Sequence, residues 1–380
     1  MSTSLLHAGP LLRPLMRTSA GTPPPLPQRP GTPSRFPHQP ADHVSLQPDP
    51  SSALLPAQSP ALINIRNLHV AFEQKNGQSV SILHGIDLDI QPGEAVGIVG
   101  ESGCGKSVTW LAILGLLGKK ARIEGSAQLH GQEILNATQQ AITRIRGKRI
   151  AMIFQDPSSS LNPAHRIGAQ VAEAVILHQG LRGQAAIAEA KRLLDRVRIP
   201  NAAQRLQAYP HELSGGMNQR VMIAMALAGK PDLLIADEPT TALDATVQAQ
   251  IIDLLKEIRV DSGMALALIS HDLGVIADVS DRVMVMYAGR IIESATTERL
   301  FSAPTHPYTR GLIAALPDLE SENGRLEAIM GTVPEAGKLP SGCSFRPRCQ
   351  HATDSCASVI PPLLPLVQGH HVACLKADAP

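Results

Sequence analysis

Apolar and polar positions change period several times along the chain, and each change marks an element. From Ala61 onward, Leu62-Ile63-Asn64-Ile65-Arg66-Asn67-Leu68-His69-Val70 alternates like a half-buried strand, and Ser81 to Ile90 predicts another, both bounded by Gly or Pro signals. Ala95-Val96-Gly97-Ile98-Val99 is a short apolar strand. Leu233-Leu234-Ile235-Ala236 and Ala265-Leu266-Ala267-Leu268-Ile269 are continuous apolar runs, the pattern of parallel strands covered on both faces. Between them Ile251, Leu254, Leu255 and Ile258 recur at helical spacing, which predicts a crossover helix. Ala169 to His178 and Ala186 to Val197 carry the same spacing inside a mostly helical segment, Asp156 to Glu212, punctuated by Pro200 and Pro210. The core is therefore expected to be an α/β layered sheet.

Residues 1–60 depart from this patterning, because prolines from Pro23 to Pro40 recur among Ser, Gly, Gln and Arg with little apolar periodicity. Such a stretch cannot bury enough surface to offset its ordering entropy, and it lacks the apolar core of a secretory signal. It is expected to be a disordered Pro-rich extension. The remaining length of the 380-residue chain suits one large domain with appendages. A formal charge of +1 gives no support to a broad attraction for nucleic acid or anionic lipid. The best uncharged apolar candidate, Ser107 to Gly118, is too short to span a bilayer, so any work at a membrane would be that of a peripheral subunit.

Three motifs carry chemistry. Gly100-Glu101-Ser102-Gly103-Cys104-Gly105-Lys106-Ser107 fits G-x-x-x-x-G-K-[ST] and stands between a predicted strand and a predicted helix; the expected nucleotide-binding run extends to Val108. Its glycines let backbone amides wrap phosphates, Lys106 supplies a point charge, and Ser107 offers a hydroxyl to Mg²⁺. Asp237 and Glu238 end the strand from Leu233, where Asp237 suits the metal's shell and Glu238 is placed to polarise an attacking water. Leu213-Ser214-Gly215-Gly216-Met217-Asn218-Gln219 opens an apolar helix with a second set of free amides suited to phosphate.

In this combination and order the chain resembles the nucleotide-binding subunits of ATP-binding cassette (ABC) transporters. The resemblance implies a P-loop NTPase fold of ABC type, with an antiparallel β subdomain, a helical subdomain and a small cysteine-containing C-terminal extension. It makes Ser214 to Gly216 the signature that acts in trans, completing an ATP site on a partner cassette. Gln155 resembles the glutamine that contacts Mg²⁺ and faces the membrane subunits, Ala242-Leu243-Asp244 the D-loop, and His271 the histidine that touches the γ-phosphate. Glu238, His271 and Gln155 are thus the expected catalytic residues, with ATP and Mg²⁺ as cofactors. Phe72 is the candidate for stacking on adenine, against the alternative of a core phenylalanine; stacking is worth only ~1 kcal/mol.

Within the family, residues 61–380 are most similar to the dipeptide, oligopeptide and nickel import branch. Tyr287 to Glu293, Thr305 to Leu312 and Gly342 to Cys349 carry that similarity, while Asn218 departs from the basic residue usual there. The expected organisation is an ABC ATPase domain over 61–315, with its helical subdomain at about 156–212, and a transporter-type C-terminal region over 316–380. Cys343, Cys349, Cys356 and Cys374 lie in that region. Four thiolates can hold zinc or an iron–sulfur cluster, although their long spacings lack the paired C-x-x-C of most zinc ribbons. Some members of the branch carry a 4Fe–4S cluster at similar cysteines; zinc and free structural thiols stay open.

The implied partners are a second cassette subunit, two transmembrane permease subunits and, indirectly, an extracytoplasmic substrate-binding protein. The implied location is the cytoplasmic face of the inner membrane, and the cargo is a dipeptide, an oligopeptide, another peptide or nickel. A soluble cassette ATPase acting on nucleic acid or ribosomes is the rival class. Such proteins usually show a second cassette or a long coiled-coil insertion, and neither heptads nor a repeated phosphate loop occurs here. A non-hydrolysing regulator would be expected to lack Glu238 or His271, and both are present.

Overall fold

The computed structural model describes residues 61–75, 77–156, 160–316 and 329–377; the expected disordered extension lies outside the described residues. The chain opens with strands β1 (Ile63–Glu73), β2 (Ser79–Ile90) and β3 (Ala95–Val99), then helix α1 (Lys106–Ile113), β4 (Ala121–Leu129), β5 (Gln132–Glu133), α2 (Gln139–Ile145) and β6 (Ile150–Ile153). Four helices follow: α3 (Ile167–Gln179), α4 (Gln184–Arg196), α5 (Ala202–Arg205) and α6 (Gly215–Leu227). The α/β alternation resumes with β7 (Leu233–Asp237), α7 (Ala245–Ser262), β8 (Ala265–Ile269), α8 (Leu273–Val279), β9 (Arg282–Tyr287) and β10 (Arg290–Thr296). Helices α9 (Thr297–Ser302) and α10 (Pro307–Ala314) precede a C-terminal region with α11 (Ser355–Ser358), β11 (Leu364–Val367) and β12 (His370–Val372).

Two sheets form. The smaller, in the order β2-β1-β4-β5, is antiparallel throughout. The larger runs β11-β12-β10-β9-β3-β8-β7-β6, with β9, β3, β8, β7 and β6 mutually parallel. The continuous apolar runs have a direct cause. Leu233 and Ile235 of β7, and Ala265, Ala267 and Ile269 of β8, enter the apolar cluster shared with the antiparallel sheet and α1. Their neighbours Leu234, Ala236, Leu266 and Leu268 enter the opposite cluster, with α6, α7 and the helical segment. Successive side chains point to opposite faces, so a strand covered on both sides must be apolar at every position. Each such Leu or Ile contributes about 1.5–3 kcal/mol on burial.

The antiparallel sheet, the parallel core and the helical segment match the expected ABC-type architecture. The two helices read from spacing are longer by one or two residues at most ends, and α3 packs on α4 with both on α6. The C-terminal region differs from the expected appendage in one respect. It extends the main sheet, because β12 pairs antiparallel with β10 and β11 pairs with β12.

Glu293 of β10 fastens this extension. Its fully buried carboxylate accepts from the backbone N–H groups of Thr305 (2.8 Å) and His306 (2.9 Å), and His370 Nε2 of β12 lies 2.8 Å from it. Two of the chain's three tyrosines, Tyr287 and Tyr308, meet Phe345 at the same junction with ring centroids 4.7 to 5.4 Å apart. Scarce aromatic surface is thus spent on seating the C-terminal region against the core. Among the described residues, no helix is long and apolar enough to cross a membrane.

Candidate active site

Ligands of open α/β sheets bind beyond the carboxyl ends of the parallel strands. Here four neighbouring strands each deliver a sequence-predicted residue to that edge. The loop to Lys106 and Ser107 follows β3, His271 follows β8, Asp237 and Glu238 end β7, and Gln155 follows β6.

The phosphate loop wraps on its own backbone. Gly100 has φ 151°, and a Cβ there would be driven into the carbonyl oxygen of Met286 in β9, so only glycine lets the loop pass that strand. Gly105 caps α1 in a left-handed conformation, and Lys106 is buried at the first position of the helix. Lys106 Nζ donates to the carbonyl oxygens of Gly100 (2.7 Å) and Glu101 (3.1 Å). Ser102 and Gly103 are exposed at the tip, while Cys104 is buried, which pushes its thiol pKa up. Val108, one turn into α1, packs half-buried on the same apolar cluster as Phe72 near the end of β1. Phe72 keeps part of its ring exposed, compatible with either of its two expected uses.

The Ser107 hydroxyl lies on the Asp237 side of the site, close enough to favour its charged carboxylate. Burial raises the Asp237 pKa, the neighbouring Glu238 adds to the rise, and Ser107 and Lys106 oppose it. A hydroxyl and a carboxylate side by side are hard oxygen donors of the kind Mg²⁺ takes.

Glu238 is the meeting point. It has φ 48°, a conformation that non-glycine residues seldom adopt, and its backbone N–H donates to the Ile269 carbonyl at the end of β8 (2.9 Å). Its Oε2 accepts from Gln155 Nε2 at 3.0 Å and from Thr241 Oγ1 at 3.0 Å, and lies 3.4 Å from His271 Nδ1. The Glu238 side chain is 18% exposed and the His271 ring 67% exposed. One carboxylate, restrained by its own backbone and three side chains, thus faces an open edge, where it can orient a water and accept its proton. Position 272 supports position 271: the Asp272 carboxylate caps α8 through Gly274 and Val275 and accepts from Gln248 Nε2 at 3.0 Å.

The signature lies at the start of α6. Ser214 is its N-cap, with Oγ accepting from the Met217 N–H at 3.3 Å, and both Ser214 and Gly215 are exposed. The two glycines have different reasons. A Cβ on Gly215 would make ordinary contact with Leu243 Cδ2 at 3.6 Å, whereas one on Gly216 would meet Val247 Cγ1 at 2.5 Å. Gly216 is required by the packing of α6 on α7; nothing inside the chain requires Gly215. Asn218, the departure from the branch pattern, donates to the Pro210 carbonyl at 3.0 Å and ties the preceding loop to the helix. Asp244 is exposed and caps α7, accepting from the N–H groups of Thr246 and Val247.

Cys343, Cys349, Cys356 and Cys374 line one small cavity with His351, and all are free thiols. Burial raises the pKa of Cys343 and Cys374; a hydrogen bond from Thr353 lowers that of Cys356. Soft donors therefore converge, yet among the described residues no three His, Cys, Asp or Glu side chains stand close enough to hold a metal ion.

A nucleotide-binding edge with this order of motifs defines a cassette ATPase. The family described as ABC transporter matches residues 83–241, and that described as oligopeptide/dipeptide transporter, C-terminal region, matches residues 292–356. The oligopeptide transport ATP-binding protein OppD of Escherichia coli K12 is 47% identical over 319 residues, 84% of this chain and 94% of that protein. OppD of Haemophilus influenzae is 50% identical over 295 residues, 78% of this chain and 91% of that one. A dimeric post-hydrolysis structure of the ATP-binding cassette MJ0796 bound to ADP and Pi matches with a TM-score of 0.56 at 26% identity, covering 62% of this chain and 98% of that one. The chain belongs to the ATP-binding subunits of ABC transporters, in the oligopeptide/dipeptide group, and is an ATPase.

Two contributors escaped the sequence reading. Thr241 has the signal of a hydroxyl three residues after Glu238. Arg348 was in view within Arg346-Pro347-Arg348-Cys349, but nothing local shows that it reaches Glu101.

Proposed function

We propose that this chain powers uptake of di- or oligopeptides across the inner membrane, on whose cytoplasmic face it sits as a peripheral subunit. It works beside a second cassette and two permease subunits, which receive cargo from an extracytoplasmic binding protein. The observation that carries the motor half of this reading is the convergence of Gln155, Thr241 and His271 on Glu238 beside the Asp237–Ser107 pair. Peptide cargo, over nickel, is supported by the names of the relatives and by the C-terminal match. The same match leaves the nucleic-acid and ribosome reading without support.

In this reading the amides of Gly100 to Ser107 and Lys106 take the phosphates, and Phe72 stacks on adenine. Ser107, Gln155 and Asp237 hold Mg²⁺ directly or through water. Glu238 polarises the attacking water and His271 contacts the γ-phosphate. Ser214, Gly215, Gly216 and Asp244 serve the dimer face, where the signature closes the partner's site; the exposure of Ser214, Gly215 and Asp244, and the dimeric MJ0796 relative, support this. An apolar groove beside Gln155, lined by Leu116, Met152, Phe154, Leu161, His178 and Met225, supports contact with the permease. The resemblance favours a 4Fe–4S cluster at the four cysteines over zinc or free thiols, but their placement does not fit one, since no three of them stand close enough to hold a metal ion.

Co-purification tests the assembly: recovery with two polytopic membrane subunits is expected, and recovery with ribosomes or DNA would overturn it. Peptide uptake lost in a knockout, with nickel uptake intact, is expected for the cargo. Glu238→Gln should retain ATP in a closed dimer; hydrolysis at the wild-type rate would remove Glu238 from its role. Anaerobic purification with iron and sulfide analysis tests the cysteines, and a colourless, metal-free, active protein would exclude the cluster.

A further inference from the structure

The phosphate loop is gripped from outside by residues far along the chain. The Glu101 N–H donates to the Tyr308 hydroxyl at 2.9 Å, and the Glu101 carboxylate accepts from Arg348 Nη1 at 2.8 Å. Neither partner is free to move. The Arg348 side chain is 5% exposed; Nε donates to the Met330 carbonyl at 2.9 Å and Nη2 to the Ile329 carbonyl at 3.3 Å. Its guanidinium carbon lies 5.9 Å from the ring centroids of both Tyr287 and Phe345. Tyr308 is fully buried at the start of α10 against those same two rings. A guanidinium with its donors directed this way is a fixed fork, unlike a surface lysine that trades partners with water.

Glu101 places a carboxylate in a loop whose amides and lysine are suited to polyphosphate. Left unpaired, that charge would repel the ligand, and a loop free to turn at its second residue would lose the fixed orientation of the amides that follow. We propose that Arg348 and Tyr308 are positioning residues of the ATP site. They neutralise Glu101, hold it off the phosphates and fix the loop backbone, so that the C-terminal region sets nucleotide affinity. This rests on the reading of Gly100 to Ser107 as the nucleotide loop.

The test is titration of the full-length chain with a fluorescent ATP analogue and Mg²⁺, with KM and kcat measured on the assembled transporter. Arg348→Gln should weaken binding about 5- to 30-fold, appearing in KM with kcat kept within about twofold. Tyr308→Phe, which removes one hydroxyl and keeps the ring packing, should weaken it about 3-fold. Glu101→Gln with Arg348→Gln should bind within about 3-fold of Glu101→Gln alone, because the charge that Arg348 neutralises is gone. Unchanged affinity in both Arg348→Gln and Tyr308→Phe would overturn the proposal, as would a double variant as weak as Arg348→Gln. Lys106→Ala separates the two levels. Lost binding there, beside wild-type binding in Arg348→Gln and Tyr308→Phe, refutes the brace alone; wild-type binding in Lys106→Ala refutes the nucleotide loop itself.

Discussion

The chain holds two glycine-bearing helix starts suited to phosphate, and they are built in opposite ways. At α1, Gly100 is squeezed by Met286, Lys106 is buried, and the loop closes on its own carbonyls. At α6, Ser214 and Gly215 are exposed, and a methyl on Gly215 would meet only ordinary contact. A helix N-terminus leaves amides without intrahelical partners, so both ends attract anions. Only the first also has a buried lysine, an adjacent Ser107–Asp237 pair and a restrained carboxylate within the same edge. In the proposed reading the first is a binding site in itself, and the second is a surface that needs a ligand brought to it.

Substitution at Lys106 should break this contrast most. Lys106→Ala removes the one buried cation of the loop and should weaken ATP binding by about 100-fold or more, roughly 3 kcal/mol, in an isotherm of the isolated chain. Far-UV circular dichroism should remain that of the parent protein.

Acid should also weaken the C-terminal junction. His306 is buried, which lowers its pKa from 6.5 to about 3, and its Nδ1 accepts the Tyr308 N–H at 3.0 Å. Between those values the unfolded chain binds the proton that the folded chain refuses. The stabilisation present above pH 6.5 is therefore lost as pH falls toward about 3, by on the order of 4 kcal/mol. Urea titrations across that range should show a shallower loss in His306→Asn, whose side chain can still cap α10; equal slopes would remove His306 as the cause.

The two signature glycines give a smaller and more pointed comparison. Gly216→Ala should destabilise the fold by about 1–3 kcal/mol through its collision with Val247. Gly215→Ala should change stability by no more than about 1 kcal/mol, since alanine favours a helix, while lowering ATPase activity of the assembled transporter. Thermal melts with paired activity assays check this, and equal melting losses would show that both glycines serve packing.

What the sequence made legible was local. The loop from Gly100 to Ser107 and the Ser-Gly-Gly run are contiguous because each works through consecutive backbone amides, and the two carboxylates at the end of β7 are neighbours in the chain. Continuous apolar runs at Leu233 and Ala265 announced two-sided burial for the same reason. Long-range closure was not legible. Four-residue β11 and three-residue β12 have too few positions to show a period, and the Arg348–Glu101 pair spans 247 positions. Glu238 reads from sequence as the acid that polarises the attacking water, but its left-handed backbone and its hold by Thr241 come from the turn after β7. Asp244 was read for its place in a motif, while its carboxylate is engaged in capping α7.

In the proposed assembly the α6 end completes a nucleotide site on another chain and contributes nothing to its own. Ser214→Arg fills that exposed start with a long cation and leaves the α1 loop untouched. The decisive measurement is ATP affinity of the isolated Ser214→Arg chain, beside hydrolysis by the complex assembled with it. Affinity within about twofold of the parent, with hydrolysis at the partner's site reduced about 100-fold or more, is the expected result. A parallel loss of affinity in the isolated chain would contradict completion in trans.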